Sequence, residues 1–155
     1  MDAPKAMNIS VERADAPGVR ELLELSDEFH GALYPPEGTF LLDVGELLSP
    51  NVTVVVARDG DRAIGMGALV EKDGYAEIKR MFLRDEARGH GAADGILQSL
   101  EATARAAGVD TLQLETGPLQ PAAIAFYERN GFTRIPNFGE YVDSIYSVCY
   151  AKRLA

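Results

Sequence analysis

Between Glu77 and Ala93 the chain reads Glu-Ile-Lys-Arg-Met-Phe-Leu-Arg-Asp-Glu-Ala-Arg-Gly-His-Gly-Ala-Ala, a strand pattern running into a small-residue turn with an arginine in front of it. These residue types suit anion binding, a pyrophosphate above all. Arg88, Gly89, His90, Gly91, Ala92 and Ala93 can turn several backbone N–H groups toward one anion, and Gly89 and Gly91 carry no side chain to hold it at a distance. A helix starting here adds its positive end. Two other phosphate loops fail on residue type. A P-loop needs Lys-Ser or Lys-Thr, and neither pair occurs in the chain. A dinucleotide fingerprint needs a third glycine, where the count from Gly89 and Gly91 reaches Asp94.

A second stretch, Ala123-Ile-Ala-Phe126-Tyr127-Glu-Arg-Asn-Gly131-Phe132, reads as a helix with a glycine stop followed by a strand. In this order the two stretches resemble the GNAT superfamily of N-acetyltransferases. Arg-x-x-Gly-x-Ala is similar to the family's acyl-coenzyme A pyrophosphate loop. The later stretch resembles the helix whose tyrosine faces the cofactor's sulfur. The resemblance implies an α/β (α+β) fold, a mixed, mostly antiparallel central sheet flanked by helices, with acetyl-coenzyme A as acyl donor. It also implies that Met81, Phe82 and Leu83 pair their backbone with the pantetheine arm as an added strand would. Arg88 would add a charge-assisted phosphate contact. Gln120 stands where many members carry asparagine, so a side-chain amide is still available to the cofactor.

Tyr127 is the expected acid, because the departing thiolate needs a proton that a phenol near the sulfur can supply. Attack requires a neutral amine, so a base must take a proton as well. Glu77, on the strand that carries the cofactor, is the first candidate, and Glu115, at the end of the neighbouring strand, is the second. The acceptor pocket is expected where the first two helices and the Pro136 to Ser144 loop meet the middle of the sheet, with His30, Tyr34, Phe138 and Tyr141 as its wall. The activity implied is direct transfer of an acetyl group from acetyl-coenzyme A to a primary amine of a small molecule or peptide. A reading of another class is a non-catalytic acyl-coenzyme A sensor that keeps the cofactor seat without turnover. Retention of Tyr127 and of a plausible base favours the enzyme.

The remaining sequence supplies elements that can hold these groups in place. Asn8 to Arg13 alternates like a half-buried strand, and Asp15-Ala-Pro-Gly offers a capped start for a helix from Ala16 to Gly31. Tyr34-Pro-Pro-Glu-Gly38 must break it. A short helix comes next, Leu41 to Leu48. Val52 to Arg58, Ala63 to Glu71 and Tyr75 to Leu83 form a meander through turns at Asp59-Gly-Asp and Lys72-Asp-Gly. The helix after the phosphate loop carries Ile96, Leu100, Ala104 and Ala107 on one face and stops at Gly108. Thr111 to Glu115 is a strand, Pro121 opens the next helix, and Phe132 to Ile135 and Ile145 to Lys152 are the last strands. The order β-α-α-β-β-β-α-β-α-β-β is the GNAT order over essentially the whole chain, residues 1–155 as one domain.

Composition limits the partners. With 15 basic against 24 acidic residues the net charge is −9, which disfavours nucleic acid and weakly favours a cationic acceptor. Only two histidines, His30 and His90, sixty positions apart, and one cysteine, Cys149, argue against a metal site and exclude an internal disulfide. Met1 to Met7 has no signal-peptide core, and no window reaches the roughly 20 apolar residues of a membrane span. A cytoplasmic protein is therefore expected, with an edge near Ile145 to Ala151 that would suit a homodimer.

Overall fold

The computed structural model describes residues 7–155, so of the stretch read for a leader only Met7 is included. Its elements follow the expected order. They are β1 (Met7–Glu12), α1 (Val19–Leu33), α2 (Val44–Leu47), β2 (Val52–Asp59), β3 (Arg62–Glu71), β4 (Ala76–Leu83), α3 (Ala92–Ala106), β5 (Thr111–Thr116), α4 (Pro121–Arg129), β6 (Thr133–Ile135) and β7 (Val148–Arg153). Seven strands make one sheet in the order β1-β2-β3-β4-β5-β7-β6. Every pairing is antiparallel except β4 with β5. That parallel pair is where α3 crosses over one face.

Both faces of the sheet are covered, which explains the unbroken apolar run of β2. Val55 and Ala57 pack with Ile96, Leu97 and Leu100 of α3, whereas Val54 and Val56 pack with Leu22 and Leu23 of α1. Alternation of side chains along a strand sends neighbours to opposite cores.

Three elements, α1, α2 and β7, have boundaries that differ from the sequence expectation, each for a local reason. Helix α1 starts at Val19, because Ala16 to Val19 forms a turn and Gly18 takes a left-handed φ of 82°. Asp15 pairs with Arg13 at 2.9 Å instead of capping. The same helix continues past Gly31 until Tyr34, which is extended in front of Pro35. Helix α2 is confined to Val44–Leu47 behind an Asp43–Glu46 capping box, which leaves Phe40 to Leu42 outside it. Strand β7 begins at Val148, and Ile145 is 83% exposed in the preceding turn.

One irregularity sets the course of β4. In the β3–β4 ladder Met66 faces Phe82 and Ala68 faces Lys79, so Gly67 is opposed by both Arg80 and Met81. Arg80 sits in this bulge with φ 58°, the one left-handed non-glycine among the described residues. The guanidinium secures the bulge: Nε donates to the Leu42 carbonyl at 2.8 Å and Nη1 to Asp27 Oδ1 at 2.7 Å. Gly67 is required opposite, since a Cβ there would come within 2.9 Å of both Ile96 Cγ2 and Met81 Sδ and 3.1 Å of Leu100 Cδ1. Gly67→Ala is therefore expected to destabilise the fold by about 1–3 kcal/mol through overpacking. Urea unfolding would show this as a lower midpoint at unchanged slope.

Candidate active site

Beyond the bulge β4 parts from its parallel neighbour. The two strands are paired only over Ala76–Ile78 and Leu112–Leu114, and from Lys79 to Leu83 no described strand faces β4 on that side. The gap widens into a cleft of about 420 Å³ between Met81, Phe82 and Leu83 on one wall and Pro121, Phe126 and Tyr127 of α4 on the other. Backbone groups on a strand flank without a partner can accept an extended ligand as an extra strand.

The same cleft is lined by Arg88, Gly89 and Ala93, and Gly89, Gly91, Ala92 and Ala93 line an adjoining hollow. Gly89 and Gly91 both take left-handed φ values, 79° and 83°, and a Cβ on either would meet nothing within 4 Å. The concave side of the turn is thus open. The first-turn N–H groups of α3 have no partner within the helix and point out of its start. Arg88 is about half exposed, with Nε 3.6 Å from Asp85, and is free to turn toward an anion. His90 is exposed and lines neither cavity, so its place in the loop is that of a backbone N–H. Arg129, which the motif reading passed over, lines both spaces with its cation packed on the Phe126 ring at 5.4 Å. These residues fit a phosphate-bearing thioester such as acetyl-coenzyme A.

A second, enclosed cavity of about 90 Å³ adjoins the cleft on the α1 side of the sheet. His30, Gln120 and Tyr127 line both. Tyr127 is 6% exposed, and burial pushes its phenol pKa upward, keeping it protonated. Its edge contacts with Phe126 and Phe132 fix the ring. Tyr34 ties the end of α1 to the start of α4: its hydroxyl donates to Gln120 Oε1 at 3.2 Å and accepts the Leu119 N–H at 3.2 Å. Gly117 is needed there because a Cβ would overlap the Tyr34 hydroxyl.

The two candidate bases sit differently. Glu77 is 4% exposed and lies behind the cavity wall, where its carboxylate accepts a 2.5 Å hydrogen bond from the Tyr141 hydroxyl, with Lys79 Nζ 3.9 Å away. Lys79 also donates to the Tyr141 oxygen at 2.9 Å. Glu115 does line the cavity, and Ser147 Oγ donates to its Oε2 at 2.6 Å. Burial raises the Glu115 pKa to about 7, against the opposing effects of that hydrogen bond and of Lys79. His30 Nδ1 lies 2.8 Å from the Ser26 carbonyl, so the neutral ring donates there and leaves Nε2 as an acceptor. Burial lowers the His30 pKa.

Of the expected acceptor wall, His30, Tyr34 and Tyr141 meet around the cavity, while Phe138 stacks behind, between Tyr75 and Tyr141. Sequence reasoning missed Thr39, Phe40 and Leu41, which close the cavity, and Lys79 and Arg80 on β4. Two adjacent cations and Glu77 within one strand were the available signal, since charged residues are rarely buried without a purpose. Among the described residues no histidine, cysteine and carboxylate cluster could hold a metal, and no helix is long and apolar enough to cross a membrane.

A strand-addition cleft ending at an anion seat, joined through a buried phenol to a polar cavity, is the site of a two-substrate transferase. The chain belongs to the acetyltransferase (GNAT) family, whose model matches residues 19–132. It is 41% identical over 125 residues to the IAA acetyltransferase of Azospirillum brasilense, covering 79% of this chain and 82% of that one. A Klebsiella pneumoniae structure described as an acyl-CoA N-acyltransferase shares 30% identity and a TM-score of 0.80, with 96% of this chain and 98% of that chain covered. The PaiA N-acetyltransferase of Thermoplasma acidophilum, solved with coenzyme A, shares the fold at 15% identity, TM-score 0.70, over 94% of this chain and 99% of that one. The protein is an acetyltransferase with acetyl-coenzyme A as acyl donor.

A β-branched side chain at Gly91 would meet its left-handed backbone at a cost of about 1–3 kcal/mol. If that strain falls on the bound loop, Gly91→Val should weaken acetyl-coenzyme A binding by about five- to 150-fold. Calorimetric titration of both proteins measures it.

Proposed function

We propose that the protein transfers the acetyl group of acetyl-coenzyme A directly to a primary amine of a small molecule or peptide, with Tyr127 as acid and Glu115 as base. The observation that carries this reading is the position of Tyr127, buried at the junction of cleft and cavity. Acetyl-coenzyme A supplies an acyl group activated as a thioester. Met81, Phe82 and Leu83 hold its arm along β4, and the Arg88–Ala93 turn, with Arg129, holds its phosphates.

Glu115 takes one proton from the acceptor's ammonium group, freeing the nitrogen lone pair. As the C–N bond forms and the C–S bond breaks, Tyr127 gives its proton to the departing sulfur. The nitrogen's second proton restores Tyr127, and the proton on Glu115 passes to solvent. Glu115 is favoured over Glu77 because it reaches the cavity, whereas Glu77 is covered by Tyr141. Glu77 then acts as a positioning residue that fixes Tyr141 in the wall.

Thiol release over a panel of amines, amino acids, peptides and IAA tests the reading. Tyr127→Phe should retain acetyl-coenzyme A binding and lose about 100- to 10,000-fold in kcat, the usual scale of a general acid. Tight binding without turnover in the wild type on any acceptor would favour the sensor instead.

The carboxyl pKa of Glu115 also sets a pH dependence. As a base it must be ionised, so kcat/KM should fall as pH drops below about 7, and Glu115→Gln should abolish that limb. Stability moves the opposite way. A raised folded-state pKa means the native protein favours the protonated form, so this contribution is complete below the unfolded value and is lost as pH rises through about 7. Glu115→Gln should therefore gain thermal stability over wild type as pH is raised from 5 to 8, a gain that differential scanning at the two pH values (each about one to two units from the titration) resolves.

A further inference from the structure

The enclosed cavity carries more positive charge than a chain of net charge −9 suggests. Its β4 wall contributes Lys79 and Arg80, with side chains 8% and 3% exposed. Each has a carboxylate nearby, but neither carboxylate faces the cavity. Asp27, 2.7 Å from Arg80, projects from α1 with its side chain half exposed, and Glu77, 3.9 Å from Lys79, lies behind Tyr141. Lys79 thus brings its cation to the lining, whereas the Arg80 guanidinium is committed to Asp27, Ser26 and the Leu42 carbonyl. Glu115 of β5 is the one carboxylate in the lining, and it stands beside Lys79, whose charge acts on it.

A bare alkylammonium entering this space would meet the buried Lys79 cation as well as Glu115. A molecule with opposite charges a few bonds apart would satisfy both neighbouring groups. We propose that the acceptor is an α-amino acid or a close analogue, its carboxylate held by Lys79 and its amine presented to Glu115 and Tyr127. This rests on the transferase reading and narrows it. The cavity has room on the order of six waters, enough for the five heavy atoms of an α-amino carboxylate head. Lys79 Nζ makes one hydrogen bond, to Tyr141, so donors remain for an incoming carboxylate. The product is an N-acetylamino acid: an amide replaces the ammonium, coenzyme A leaves as the thiol, and the carboxylate is unchanged. Net protein charge and cavity charge point to different acceptors, and the groups in contact decide.

The test uses matched acceptor series with the intact protein: an amino acid, its amide and its decarboxylated amine, for leucine, methionine, phenylalanine and alanine. Thiol release should favour the free acid over its amide by at least about tenfold in kcat/KM, the scale of one charged hydrogen bond. In Lys79→Gln that ratio should shrink, mainly through KM. Equal or faster turnover of the amides overturns the carboxylate site while leaving the transferase intact. Should no series member be turned over, methyl NMR of Thr39 and Leu41, which line the cavity, still decides. Millimolar free acids should shift these signals where the amides do not, and a response that is absent or the same for both overturns the proposal. Acetyl-coenzyme A binding, titrated in the same samples, reports separately on the transferase reading.

Discussion

Left-handed backbone at a non-glycine residue costs about 1–3 kcal/mol, and the fold carries that strain at Arg80, in the middle of its most important strand. The consequences extend through the site. A bulge adds a residue to one strand, sharpens its twist and re-aims the residues beyond it. Here β4 keeps its parallel pairing with β5 for three residue pairs and then leaves it. Without that departure the two strands would zip together, and neither the free flank of Met81 to Leu83 nor the route from cleft to cavity would exist. Three side-chain hydrogen bonds from the arginine, to Leu42, Asp27 and Ser26, offset the strain. The same contacts tie α1 and the Phe40–Leu42 segment to the sheet, so one side chain fixes both the opening and the cavity wall.

The other organising feature is the polar chain that crosses the sheet beneath the cavity. Glu77 and Lys79 lie on β4 two residues apart, hence on one face, and meet at the Tyr141 hydroxyl. Glu115 on β5 and Ser147 just before β7 meet beside them, and Ser144 joins at 2.8 Å. Asn137 holds the intervening turn by donating to the carbonyls of Tyr141, Ser144 and Ser147. Burial makes such a network costly to leave half made, which is the physical reason the irregular stretch from Asn137 to Ser147 takes a defined shape. Fixing Tyr141 in this way closes the cavity and shields Glu77. It leaves Glu115 as the carboxylate in reach, with burial and limited hydrogen bonding bringing its pKa to about 7.

What could be read from the sequence depends on how local each signal is. The Arg88–Ala93 turn and the Phe126-Tyr127 helix were legible because glycine spacing, a following amphipathic helix and a phenol one turn from its end are all short-range facts. Strand and helix order was legible for the same reason, through the periodicity of β2, β3 and α3. The bulge was not, because Lys79-Arg80-Met81 resembles any strand until the pairing partner is known. Nor could the sequence rank Glu77 against Glu115. Both sit on central strands with similar neighbours, and what separates them is Tyr141, sixty-four positions from Glu77. The late start of α1 has a local cause, but it turns on Gly18 going left-handed and Asp15 choosing Arg13, alternatives of similar local cost.

Net charge was the least transferable of the sequence observations. An excess of nine negative charges describes the field that an approaching molecule meets at a distance, and salt screens that field within about 8–10 Å. Inside the cavity the balance is set by the few charged residues that line it. Strand geometry decides that, since alternation sends Lys79 to the α1 side and the bulge sends Arg80 to the same side instead of the opposite one. In a regular strand one of these two cations would face the α3 core, where it could not be tolerated. The bulge that opens the cofactor cleft is thus also what allows two adjacent cations to share one wall of the acceptor cavity.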